Sequence, residues 1–70
     1  MSRLYSSEHI QKVLEQFGFF LVCQKDSHGK LKNSSGRVVI LPMNKNEIPL
    51  GTFRSILRQA GINEVTFKNT

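Results

Sequence analysis

His28 is the residue best suited to move a proton at neutral pH, and it stands among cations. It lies in the stretch Gln24-Lys25-Asp26-Ser27-His28-Gly29-Lys30, with Lys32 just beyond. An imidazole titrates close to neutrality and can give or take a proton. Lys25, Lys30 and Lys32 surround it with positive charge. A turn that presents one such ring among cations is suited to hold a phosphodiester and cut it. The competing reading is a polar turn residue with no chemical role. The other histidine, His9, has no partner group near it in sequence and reads as a solvated helix residue.

The chain has 70 residues, enough for one domain spanning residues 1–70. A core of that size leaves a net stability of roughly 3–5 kcal/mol. Ten Lys and Arg against five Asp and Glu give a formal charge of +5. Such a balance favours a polyanion or an acidic protein as partner and does not choose between them. The single cysteine, Cys23, excludes an internal disulfide and a zinc site built from Cys alone. It falls in the apolar run 19–23 and reads as a small core residue rather than a reactive thiol. No cluster of Asp, Glu and His suggests a metal, and no cofactor is expected. No segment reaches the ~20 apolar residues of a membrane span. Residues 1–5 are not followed by a signal-peptide core, so the expected compartment is the cytoplasm.

Five elements are needed to position the polar stretch. Ser6 and Ser7 are good helix caps and Glu8 suits the first turn. Ile10, Val13, Leu14 and Phe17 recur at helical spacing and define one apolar stripe, which Gly18 ends. Residues 19–24 read as a strand, apolar on both faces at first and so expected to be partly buried on both. A turn is expected at 26–29, then a short strand around Lys30-Leu31-Lys32, a turn at 33–36 and a strand at 37–41 that Pro42 stops. A second helix starts either at Pro49 or with Thr52 as cap. Phe53, Ile56, Leu57 and Ala60 form its apolar face, and Gly61 caps it. Residues 63–67 are expected to add one turn, with Ile62 or Phe67 packing back. Short turns between the strands imply an antiparallel meander. One apolar stripe per helix implies that both helices cover the same sheet face and leave the other open.

Three blocks then carry a family resemblance. Ser27-His28, Gly36-Arg37-Val38-Val39 running into Leu41-Pro42, and Glu47-Ile48-Pro49-Leu50-Gly51-Thr52-Phe53-Arg54-Ser55-Ile56-Leu57-Arg58-Gln59-Ala60-Gly61 closely resemble the HicA toxins. The resemblance covers residues 7–62, and the last block is the most specific. It implies an α+β fold in the order α-β-β-β-α, like a double-stranded-RNA-binding domain, with two helices on one face of a three-stranded antiparallel sheet. It implies endonucleolytic cleavage of mRNA and neutralisation by a HicB antitoxin covering the active face. His28 occupies the place of the family's catalytic histidine. Two positions depart from the pattern. Asp26 stands where the family has Gly, and Asn44 where it often has a second His. Asp tolerates left-handed backbone geometry, so the turn is expected to survive, while its carboxylate would repel phosphate.

RNA carries its own nucleophile, the 2′-hydroxyl. Cleavage needs a base beside it, an acid for the leaving 5′-oxygen and positive charge for the phosphorane. His28 is the expected acid or base. Lys25, Lys30, Lys32 and Arg37 are expected to bind RNA, with Ser27 donating to a phosphate oxygen. Arg54 joins them because, with Thr52 as cap, it would sit unfavourably in the first helical turn unless it faced a phosphate. Arg58 reads as a solvated helix residue. The expectation is metal-independent cleavage leaving a 2′,3′-cyclic phosphate. The alternative is a non-catalytic RNA-binding module of the same fold. A helix-turn-helix DNA reader is disfavoured, because three strands separate the two main helices.

Overall fold

A computed structural model describes residues 4–70. The first helix, α1 (Ser7–Gln16), is followed by three strands, β1 (Phe20–Lys25), β2 (His28–Lys32) and β3 (Val38–Pro42). Helices α2 (Leu50–Ala60) and α3 (Glu64–Lys68) complete the chain. The strands form one antiparallel sheet in the order β1-β2-β3. This is the α-β-β-β-α layout expected, with a short third helix where one further turn was anticipated. Residues 1–3, part of the N-terminal stretch read above for a leader, lie outside the described residues. No helix among the described residues is long and apolar enough to cross a membrane.

Local signals set the helix ends. Ser6 caps α1 by accepting from the His9 N–H at 3.1 Å. At the other end Gly18 takes φ +85°, a region that costs a side chain but not glycine. That geometry lets the Phe19 N–H reach back to the Leu14 carbonyl and turns Phe19 into the core. Helix α2 begins at Leu50 with Pro49 at the cap, so Thr52 is an interior residue rather than the cap.

The apolar stripes meet the inner sheet face. Ile10, Val13 and Leu14 of α1 and Phe53, Ile56, Leu57 and Ala60 of α2 are buried with Leu31, Val39 and Leu41. Met43 and Ile48 from the loop after β3 join them, and so does Phe67 of α3. Phe67 meets the rings of Phe53 and Tyr5 edge-on at 4.9 and 5.0 Å, and His9 stacks on Tyr5 at 5.1 Å. His9 is thus exposed, as expected, but not free of neighbours.

Three expectations of burial are corrected. Phe17 lies at the end of α1 and is 36% exposed, because the chain leaves the helix there and takes the ring off the stripe. All six residues of β1 are exposed, including Cys23. The physical reason is that α1 and α2 both lie against β3, so the sheet extends past the helices and β1 is its uncovered edge. A bulge between Leu21 and Cys23, which leaves Val22 unpaired, adds to its irregularity.

The two edges of the sheet are treated differently. On β3 the Ile40 N–H donates to Gln59 Oε1 at 2.9 Å, Pro42 has no N–H, and its carbonyl accepts from Ser7 Oγ at 2.6 Å. Arg37 ties the same side down, its Nε donating to the Gln59 carbonyl at 2.6 Å and Nη2 to the Arg58 carbonyl at 3.4 Å. A cation over the last carbonyls of α2 also opposes the negative end of the helix dipole favourably. Edge β1 has no such cover.

Candidate active site

Strand pairing decides what the open face carries. Lys25 lies opposite His28, and His28 opposite Pro42. Cys23 lies opposite Lys30, and Lys30 opposite Ile40; Phe20 and Val38 flank Lys32 in the same way. Residues directly opposite in an antiparallel pair share a face. Along β2 the buried residues are Gly29 and Leu31, so His28, Lys30 and Lys32 point away from the helices. The structure therefore brings His28, Lys25, Lys30 and Lys32 onto one exposed surface with the apolar side chains of Phe20 and Ile40. None of these lysines makes an ion pair with a carboxylate among the described residues.

The turn is tighter than the sequence reading made it. Only Asp26 and Ser27 lie outside the strands; His28 and Gly29 belong to β2, where the expected turn had included them. Strand position gives His28 a backbone held on both sides by ladder partners rather than a loop tip. Gly29 beside it leaves room for two side chains. A Cβ there would come within 2.8 Å of Met43 Sδ and 2.9 Å of Leu21 Cδ1, so any side chain would push the ends of those two aside.

Asp26 takes φ +56°, the left-handed geometry expected of it. In Asp26→Gly, relief of that strain and the greater freedom of glycine in the unfolded chain oppose each other, at about 0.5–1 kcal/mol each. Stability is expected to hold within about 0.5 kcal/mol. Removing the carboxylate should raise RNA affinity about two- to fivefold. A urea melt and an RNA titration of this variant check both; weaker binding would show that Asp26 assists the site.

The remaining residues named from sequence sit elsewhere. Ser27 is exposed in the turn, and its carbonyl accepts from the Met43 N–H at 2.7 Å. Arg37 is engaged with the end of α2, as described. Arg54 lies in the helical layer and pairs with Glu64 at 3.3 Å. With α2 starting at Leu50, Arg54 is past the first turn, which removes the electrostatic misfit that had pointed it at a phosphate. The Arg37 and Arg54 contacts are long in sequence, and nothing local signals them. Among the described residues no three His, Cys, Asp or Glu side chains gather into a metal site.

No curated protein matches the chain. The family model described as HicA toxin of bacterial toxin-antitoxin systems matches residues 7–62, from the start of α1 to just past α2. With the element order and the Ser27-His28 hairpin already in place, that match covers every strand and both long helices, and the chain belongs to the HicA toxin family.

Proposed function

We propose that this toxin is an endoribonuclease whose open sheet face binds and cuts mRNA. The observation that carries the reading is the shared exposed surface of His28, Lys25, Lys30 and Lys32. In this scheme the lysines hold the phosphate and offset the charge that builds on its oxygens in the phosphorane. The 2′-oxygen attacks phosphorus, its proton passes to a base, and the P–O5′ bond breaks as the 5′-oxygen gains a proton. The products are a 2′,3′-cyclic phosphate and a 5′-hydroxyl. His28 serves as one of the two proton-transfer groups, and a water or a second side chain serves as the other. The scheme calls on no metal. In this scheme Ser27, exposed in the turn, donates to a phosphate oxygen.

The partner that restrains it is an acidic, HicB-type antitoxin seated on the same face. Exposed Phe20 and Ile40 among the lysines support a protein partner as well as RNA, because apolar and cationic groups alternate there. If bound antitoxin leaves His28 as exposed as before, and RNA is still cut, masking is not the mechanism.

A second reading is supported by the same face, which carries one imidazole and no carboxylate. A non-catalytic RNA-binding module would need only the lysines. Incubation with a labelled RNA separates the two, since only the enzyme cuts it.

The lysines can be tested separately. Lys30→Ala is expected to weaken single-stranded RNA binding and to reduce the slope of log K against log salt by about 0.7, the loss of one phosphate contact. Arg37→Ala should differ, costing about 0.5–1.5 kcal/mol of stability through the end of α2 and leaving that slope in place. Binding isotherms at several salt concentrations and urea melts distinguish them.

A further inference from the structure

At the His28 end of the sheet, the loop after β3 folds back over the start of α1. Between them lies a depression of about 500 Å³ walled by Ser6, Glu8, Gln11, Asn44, Lys45 and Asn46. Ligand sites commonly occupy roughly 300–1,000 Å³. Three of these side chains are carboxamides, each with a donor and an acceptor side by side. Gln11 donates to Glu15 only at 3.4 Å, which leaves its oxygen available. Glu8 on the wall is paired with Lys12 at 3.7 Å and Lys45 is the one cation on it, so carboxamides rather than a cluster of cations dominate the lining and suit a neutral ligand better than a phosphate. Paired donor and acceptor groups match the edge of a nucleobase.

The loop that forms this wall is held in a strained shape. Asn44 has φ +60°, and Asp26 is the only other described non-glycine residue with positive φ. The two stand on either side of the hairpin that carries His28. Asn44 is pinned from both directions. Before it, the Met43 N–H donates to the Ser27 carbonyl at 2.7 Å. After it, the Lys45 N–H donates to Ser7 Oγ at 3.0 Å, and the Ser7 N–H donates to the Lys45 carbonyl at 2.9 Å. Ser7, the buried polar residue of the described chain, ties this loop to the strand before it, since its hydroxyl also donates to the Pro42 carbonyl at the end of β3. Strain of this kind persists where the surroundings over-determine it, and it gathers at functional positions. Pro42, the ladder partner of His28, lies two residues before Asn44.

We infer that this depression is a base-reading subsite for single-stranded RNA. One nucleobase of the strand that crosses His28 reaches it round the Pro42 end of β3 and is recognised by the amide of Asn44, assisted by Gln11 and Asn46. Ser7 is a positioning residue that holds the reading loop against the hairpin. The inference rests on the ribonuclease reading for what the recognition selects, namely where the RNA is cut.

Asn44→Gly is the direct test, because glycine keeps the positive φ and removes the amide, with strain relief and added unfolded-state freedom opposing each other as at Asp26. Wild type, Asn44→Gly and Gln11→Ala are each given an RNA of random sequence, and the cut ends are sequenced. Wild type is expected to favour one base at one position flanking the cut by about 5- to 150-fold, the span of a good amide–base contact. Both variants should flatten that preference while still cutting and with an unchanged melting midpoint. Uniform cutting by wild type, or an undiminished preference in Asn44→Gly, overturns the subsite. If wild type cuts no RNA, the ribonuclease reading fails on its own. The subsite is then judged by NMR titration of wild type with the four 3′-nucleoside monophosphates. Base-dependent shifts at the Asn44, Asn46 and Gln11 side-chain amides support it. No shifts, or the same shifts with inorganic phosphate, reject it.

Discussion

His28→Ala is expected to slow RNA cleavage by about 10²–10⁴-fold, the range that a positioned acid or base contributes. RNA affinity should change little, because the phosphate interaction is carried by Lys25, Lys30 and Lys32. The fold should survive as well. His28 is an exposed strand residue, and truncating it opens no cavity, so stability should stay within about 0.5 kcal/mol of wild type. Single-turnover cleavage, RNA titration and a urea melt on the same preparation separate these three quantities. Full cleavage by the variant would reject the catalytic role of His28. Tight binding by wild type without any cleavage would leave a binding module in place of an enzyme.

Phe67→Ala should be the most damaging single change to the fold. Phe67 lies beyond the stretch that the family model matches, yet it is 1% exposed and touches the rings of Tyr5, His9 and Phe53. Truncating a buried Phe costs about 3–5 kcal/mol, through lost burial and the cavity left behind. The expected net stability of a chain this short is of the same size. The variant should therefore be largely unfolded at 25 °C, by circular dichroism and by loss of the cooperative urea transition. A loss below about 1 kcal/mol would mean that α3 is not part of the cooperative core. Any loss of cleavage in this variant follows from unfolding and bears no information on the site.

Periodic features were legible from sequence, and features set by distant packing were not. Helical spacing identified the buried faces of α1 and α2 because each stripe is a local property of 3.6 residues per turn. The apolar run before Cys23 misled for the opposite reason. Side chains such as Phe20 and Val22 say that a strand forms, but only the placement of the helices over β3 decides that β1 is left outside. Lys30 and Lys32 follow His28 at a period of two, which was enough to place all three on one face once His28 is taken as a strand residue. Reading it as part of the turn hid that simplicity. Arg37 looked like one more cation for RNA. Its bonds to carbonyls of Arg58 and Gln59 close a contact across more than 20 residues, which no local pattern announces. Ser6 and Ser7 both read as caps; Ser6 takes that place and frees Ser7 to brace the loop after β3.

The unequal edges of the sheet limit how copies of this toxin can associate. Unpaired edges are templates for further strands, and a sheet with two of them can grow without end. Here Gln59, Pro42 and Ser7 blunt β3, while β1 stays available. A strand that adds to β1 has no second edge on this chain from which to propagate. Antiparallel pairing of β1 with its own copy would close after two molecules, a two-fold contact that consumes the one free edge on each. Were two molecules to pair through β1, the contact would close at two rather than extend into a fibre, and the bulge at Leu21/Cys23 would work against even that pairing.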